Sequence, residues 1–354
     1  VHSEYQVPGG KLVVVDLCVE EGRLKNVRVA GDFFLEPDEA ILQIDDALEG
    51  APADMDTAGL TARINAALPP SAVLFGFTGE SVAIAVRRAL AQATDWSDYD
   101  WQLIHEAPQP PALHMALDEV ITTEVAAGRR PPTLRVWEWD APAVIIGSFQ
   151  SLRNEVDPDG IARHGVTVVR RISGGGAMFA EPQSTITYSL AVPEALVSGL
   201  SFADSYAYLD DWVLTALGDM GIKAWYQPLN DIATEVGKVA GAAQKRMAGP
   251  GGGPGAVLHH VTMSYDIDAD KMLDVLRIGK EKLSDKGTRS ARKRVDPLRR
   301  QTGLPREAVI EKMIDSFRSR YGLTRGQVTE GEMARARELV RTKFEDPAWT
   351  ARIP

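Results

Sequence analysis

Two adjacent cations, a hydroxyl and three glycines stand together in Arg170-Arg171-Ile172-Ser173-Gly174-Gly175-Gly176-Ala177-Met178-Phe179. Consecutive glycines cost backbone entropy and bring no side chain to pack. Close approach of the backbone to an anionic ligand, with bare N–H groups and two guanidiniums around it, would offset that cost. A flexible hairpin with solvated arginines accounts for the same residues, so this stretch alone leaves both readings open. Later in the chain come Asn230-Asp231, then Gly237-Lys238-Val239-Ala240-Gly241-Ala242-Ala243-Gln244, then His259-His260-Val261-Thr262. A lone lysine is ordinarily solvated, and an aspartate after asparagine is ordinarily a turn residue. Small residues on both sides of Lys238 and the preceding Asn-Asp favour a bound anion instead.

Other chemistries find no support. Cys18 is the only cysteine among 354 residues, so no intrachain disulfide or zinc–thiolate cluster forms. No activating base or cation accompanies it, which makes it a structural residue. There is no His-Glu-x-x-His pair, and Ala248–Gly255 is a glycine-rich hairpin tip without the lysine of a P-loop. A net charge of −10 argues against general nucleic-acid binding but allows a local nucleotide site. No run approaches the length of a membrane span, and Val1–Lys11 lacks a signal-peptide core. The expectation is a cytoplasmic protein with neither membrane nor nucleic-acid partners.

These residues need elements to hold them. Residues 1–95 read as a small α+β unit: Val13, Val15, Leu17 and Val19 alternate along one strand, and helices follow from Glu36, Thr57 and Thr78. Residues 92–100 are polar and acidic and read as a linker. From 96 to 354 the pattern is a second α+β unit. A helix over 112–127 keeps Leu113, Ala116, Leu117, Val120 and Ile121 on one side, and strands are predicted at 133–139, 143–147, 166–169, 185–190 and 257–267. Ser201 and Asp204 open a helix running to Met220, and Ile222, Ala224 and Tyr226 suggest a short strand. Lys280–Arg300 is basic, and helices at 305–321 and 329–344 close the chain.

Taken together, the arginine–glycine stretch, Asn230-Asp231, the Gly237–Gln244 segment and the His-His-x-Thr resemble the lipoate–protein ligase family, within the group that also holds biotin ligases and octanoyltransferases. The likeness runs from about Trp101 to Ile353 and includes Ile146-Gly147-Ser148-Phe149-Gln150 and Lys286-Gly287-Thr288-Arg289-Ser290. Val7-Pro8-Gly9-Gly10-Lys11 and Gly31-Asp32-Phe33-Phe34 look like the family's accessory domain, placed here before the catalytic one. The resemblance implies an α+β catalytic domain with a mixed or antiparallel sheet core flanked by helices. It also implies a two-step reaction. Lipoate and MgATP form lipoyl-adenylate, and the acyl group then passes to a lysine of an E2 lipoyl domain of a 2-oxoacid dehydrogenase or of the glycine-cleavage H-protein.

By the same resemblance Lys238 is the essential lysine, meeting the α-phosphate and the acyl carbonyl oxygen, and Asp231, after Asn230, holds Mg²⁺. Arg171 with Gly176, Ala177, Met178 and Phe179 wraps the nucleotide. Ser173, Gly174 and Gly175 cradle the adenylate, with Gly241, Arg246 and His260 in contact. Arg170 either orients a phosphate or pairs with a carboxylate. Ala180-Glu181 stands where many members have His-Asp, so no histidine role is available there. An octanoyltransferase working through a cysteine thioester would need a thiolate in the catalytic unit, and Cys18 lies outside it. A lysine-only transferase keeps Lys238. The nearest approach to a biotin ligase's Trp-Pro-Asn-Asp is Pro228-Leu229-Asn230-Asp231. A non-catalytic carrier-binding protein would not require Lys238 and Asp231 together.

Overall fold

The computed structural model describes residues 1–277 and 297–354. The motif at 286–290 and most of the basic stretch 280–300 lie outside them. The chain folds into two compact units: Val1–Asp98 with Ala195–Asp211, and Tyr99–Glu194 with Trp212–Pro354.

In the first unit three antiparallel strands, His2–Gln6, Leu12–Glu20 and Arg23–Gly31, form a meander, and Phe34–Glu36 pairs with Val73–Phe75. Alternation buries Val13, Val15 and Leu17 as expected. The register shifts between Asp16 and Cys18. That irregularity breaks the period-two pattern, and Val19, expected on the buried face, is 45% exposed. Helices Ala40–Leu48 and Gly79–Leu90 pack on the sheet, and Thr57–Ala67 packs against both of them. Gly79–Leu90 begins with a capping box between Thr78 and Ser81. Arg88, on this helix, is buried and donates to the carbonyls of Thr94, Leu196 and Ser198. That clamp draws residues 195–211 into a unit that the sequence divided at 95. The expected linker is likewise structured: Trp96–Asp98 is a 3₁₀ turn, and buried Trp96 packs on Tyr208 at 5.8 Å.

The second unit is built on an eight-stranded mixed sheet. Its order is Trp225–Gln227, Asp231–Ala233, Lys238–Met247, Ala256–Ser264, Thr185–Pro193, Thr133–Trp137, Gln102–His105 and Thr324–Arg325. Neighbours are antiparallel except the last two pairs, which are parallel. A three-stranded sheet places Ala143–Ile146 between Met178–Ala180, antiparallel, and Thr167–Arg170, parallel. The short strand expected at 222–226 forms later, at Trp225–Gln227, and Ile222 is buried in the preceding turn. The helix Arg306–Tyr321 matches the expectation, whereas the final one is α-helical only over Glu330–Leu339 and continues as a π-helix, Val340–Phe344.

The helix Pro111–Ala126 packs against the strands Thr185–Pro193 and Ala256–Ser264 and against the helix Glu330–Leu339. Covered on several sides, it buries its polar residues His114, Asp118, Thr122 and Glu124 together with its apolar ones. The one-sided helix read from the sequence is therefore an interior helix, and its buried polar groups must find partners. Among the described residues no helix is long and apolar enough to cross a membrane.

Candidate active site

The glycine stretch is the loop joining Thr167–Arg170 to Met178–Ala180. Adjacent residues of an extended chain point in opposite directions, and the two arginines divide accordingly. Arg170 is completely buried and donates to the carbonyls of Gly147, Gln150, Trp349, Thr350 and Ile353, with a longer contact to Ser148. It binds the C-terminal segment and the 147–150 loop to its own strand. Its donors are taken up by these carbonyls, and it pairs with no carboxylate among the described residues. Arg171 turns back into the loop, donating to the Gly174 carbonyl at 2.6 Å, the Gly176 carbonyl at 2.9 Å and Ser173 Oγ at 3.1 Å. Two glycines are dictated by this geometry. Gly175 has φ +93°, and a Cβ on Gly147 would stand 2.1 Å from the Gly175 carbonyl oxygen.

With its carbonyls held by Arg171, the loop presents Gly176, Ala177 and Met178 to an open cleft. Lys238 opens the strand Lys238–Met247, and a register shift between Ile232 and Ala233 brings its neighbour's Asp231 alongside. Lys238 Nζ lies 2.7 Å from Asp231 Oδ1, with both side chains partly exposed. Gly241 pairs with Asp231 in register and leaves room for the ammonium, since a Cβ there would come within 2.8 Å of Nζ. Asn230 also lines the cleft, but its amide is spent on the Ala242 carbonyl at 2.7 Å. Met115, Trp137, Ile145, Ala242 and Ala243 supply an apolar inner wall that no sequence pattern indicated. A second, open lobe, lined by Phe179, Val239, Ile267, Met272 and Leu276, shares Lys238 with the first. The ammonium thus stands at the junction of two lobes.

Beneath the cleft runs a buried polar chain. Ser173 Oγ is 2.6 Å from His260 Nε2, and His260 Nδ1 is 2.8 Å from Asp118 Oδ2. Asp118 Oδ1 accepts from Arg135 at 2.6 Å and Ser189 at 2.7 Å. Burial pushes the His260 pKa down, against the pull of Asp118 in the other direction. Burial also works to raise the Asp118 pKa, but Arg135 and His260 outweigh it and hold the carboxyl below its ordinary value. Asp118, Arg135 and Ser189 were missed in the sequence because each sits on a separate element with no motif around it.

The structure therefore brings Arg171, Ser173, the loop residues, Asn230, Asp231, Lys238, Gly241 and His260 to one place. Arg246 is not among them. It sits toward the far end of its strand, roughly 17 Å from Gly241 at about 3.3 Å per residue, facing Glu194 at 3.4 Å. Glu181, at the position where the family's usual pattern breaks, pairs with Lys271, whose ammonium lies 5.7 Å from the Phe179 ring centre.

The arrangement can hold an anion at Lys238 between an apolar slot and a second lobe, beside one carboxylate. Among the described residues no three His, Cys, Asp or Glu side chains converge to hold a metal. Mg²⁺ requires only one or two protein carboxylates when phosphates complete its shell, so Asp231 fits that ion only together with a nucleotide.

Comparison with known proteins agrees on the family of this cleft. Residues 110–318 match the model of the lipoyl protein ligase A/B catalytic domain. Octanoyltransferase LipM of Halalkalibacterium halodurans is 26% identical over 280 residues, covering 71% of this chain and 99% of the relative. The LipM of Symbiobacterium thermophilum is 29% identical over 281 residues, covering 72% and 98%. Among solved structures, a bi-partite lipoate protein ligase of Thermoplasma acidophilum, from a lipoylation system that includes an E2 lipoyl domain, has a TM-score of 0.63 at 26% identity, covering 72% of this chain and 98% of that one. A lipoate-protein ligase A bound with ATP has the same fold, with a TM-score of 0.61 at 24% identity and coverages of 72% and 99%.

Proposed function

Because the chain belongs to the lipoyl protein ligase A/B catalytic-domain family, we propose that it is an ATP-dependent lipoate–protein ligase, joining lipoate to a lysine of a lipoyl domain or H-protein. One observation carries the choice of route: the matched region 110–318 contains a lysine–aspartate pair in its cleft and no cysteine. A route through an acyl-enzyme thioester needs a sulfur nucleophile on the enzyme. Cys18 lies in the first unit, with its Sγ 3.3 Å from the Lys25 carbonyl and 3.3 Å from Asn26 Nδ2. Adenylation instead needs cationic charge where a carboxylate meets a phosphate, and Lys238 offers it.

In this reading the acyl chain lies along Met115, Trp137 and Ile145 and the nucleotide occupies the lobe beside Phe179. Lys238 offsets the charge that builds between the lipoate carboxylate and the α-phosphate as the bond to pyrophosphate breaks. In the second half-reaction the same ammonium stabilises oxyanion charge on the acyl carbonyl while the acceptor lysine's amine displaces AMP. Arg171 keeps the loop carbonyls turned away from these anions. Mg²⁺, held by Asp231 and phosphate oxygens, would supply Lewis-acid stabilisation of the leaving pyrophosphate.

A second reading has its own support. The curated relatives, matched over nearly their whole length, are named octanoyltransferases. On that reading Lys238 activates an octanoyl thioester delivered by a carrier, without ATP. Intact mass of an apo lipoyl domain separates the two. The ligase modifies it with lipoate and MgATP, unchanged in Cys18→Ser and lost in Lys238→Ala. Modification from octanoyl carrier protein without ATP would overturn the adenylate route. We also read the first unit as the accessory domain that its sequence resembles. Full activity after removal of residues 1–98, with 195–211 of that unit still in the chain, would refute that assignment.

A further inference from the structure

Asp118 lies on the interior helix Pro111–Ala126, outside every motif of the sequence, yet its carboxylate is surrounded by donors. Arg135 and Ser189 occupy Oδ1, and His260 Nδ1 faces Oδ2 at 2.8 Å. Arg135 is itself fixed, with Nη1 3.0 Å from His114 Nδ1 and Nη2 3.0 Å from the His114 carbonyl.

The proton directions follow from one end to the other. An ionised carboxylate only accepts, so His260 carries its hydrogen on Nδ1. Arg171 Nε only donates, and it stands 3.1 Å from Ser173 Oγ. The hydroxyl's own hydrogen is then free to point along the 2.6 Å contact to His260 Nε2, which must be bare to accept it. We infer that Asp118 is a positioning residue: it selects the Nδ1–H tautomer of His260, and so fastens Ser173, and with it the glycine loop, to the strand Ala256–Ser264. The chain links the helix Pro111–Ala126 and the strand Ala256–Ser264 to the glycine loop that faces the cleft. A tautomer flip would place two donors, Nε2–H and Arg171 Nε–H, on Ser173 and leave its hydrogen without this acceptor.

The kinetic part of the test rests on the acyl-nucleotide reading of the cleft, whereas the spectroscopic part does not. In protein with ¹⁵N-labelled histidine rings at neutral pH, the His260 signal, identified by its loss in His260→Gln, should report hydrogen on Nδ1 and none on Nε2. Asp118→Asn presents an amide N–H to Nδ1 and should move the proton to Nε2. The apparent KM for the nucleotide and acyl substrates should rise about three- to tenfold, the worth of one hydrogen bond, with kcat changing less. Ser173→Ala should raise KM similarly while leaving the tautomer on Nδ1. If Asp118→Asn does not fold, the unsubstituted spectrum and Ser173→Ala decide the matter. Hydrogen on Nε2 in the unsubstituted protein, or a folded Asp118→Asn with an unmoved proton, would overturn the inference. The expected tautomer in an enzyme without ATP-dependent activity would sink the ligase assignment and leave the inference standing.

Discussion

Gly241→Ala tests whether the position of one ammonium sets the rate. The added Cβ would lie 2.8 Å from Lys238 Nζ, 3.1 Å from its Cε and 3.5 Å from Asp231 Oδ1. Ordinary contacts begin near 3.5 Å, so Nζ must retreat by roughly 0.7–1 Å. It is the far end of a flexible side chain that is 47% exposed, so it can do so without disturbing the strand. Alanine also removes the entropic penalty of glycine inside a strand, worth about 0.5–1 kcal/mol in favour of the variant. Stability should therefore hold or rise. Activity should fall, because a displacement of about 1 Å at a reacting centre costs up to ~10²-fold. A fall of 10- to 100-fold in kcat/KM corresponds to about 1.4–2.7 kcal/mol of lost transition-state stabilisation. The assay is acylation of an apo lipoyl domain followed by intact mass, beside thermal melting of the same preparations. Undiminished activity in a folded variant would show that Lys238 does not work from its observed position. Unfolding of the variant would refute the steric argument from the other side.

Two further outcomes are expected. Arg170→Lys replaces a fork that serves the carbonyls of both the 147–150 loop and residues 349–353 with a single ammonium; leaving several buried carbonyls unpaired should lower the unfolding free energy by about 2–4 kcal/mol. Urea midpoints measure it, and faster proteolysis of the last ten residues should accompany it. His114, stacked on Trp137 at 4.9 Å, has its pKa pushed down to about 3 by burial and by Arg135. Its native form binds fewer protons than the unfolded chain, so this contribution is complete above pH 6.5 and is lost as pH falls from there toward 3. Between pH 7.5 and 5.0 the loss is about 2 kcal/mol, and His260, depressed in the same direction, adds to it. Urea unfolding at the two pH values should show the drop, reduced in His114→Gln; equal stability of the unsubstituted protein at both would contradict the burial of a neutral ring.

Much of this protein is local and therefore legible in its sequence. Hydrophobic period and capping chemistry act between residues a few positions apart, so Thr78 caps its helix as read, with Ser81 completing a box that the structure adds, and Thr329 and Glu332 start theirs. The glycine stretch and Gly237–Gln244 also stand out in the sequence, and the structure places residues of both around one cleft. What the sequence could not decide was direction and burial. Arg170 and Arg171 are the same residue type side by side, and strand alternation says only that they part company. The Trp349–Ile353 backbone, some 180 residues away, determines that Arg170 is the one turned from the cleft. Arg246 looks equivalent to Lys238 along one strand, yet the strand's length carries it out of reach. Asp118 reads as the polar face of an amphipathic helix until the surrounding elements bury it. Only then does the cost of an unpaired buried charge require Arg135, Ser189 and His260 to converge on it from three different strands.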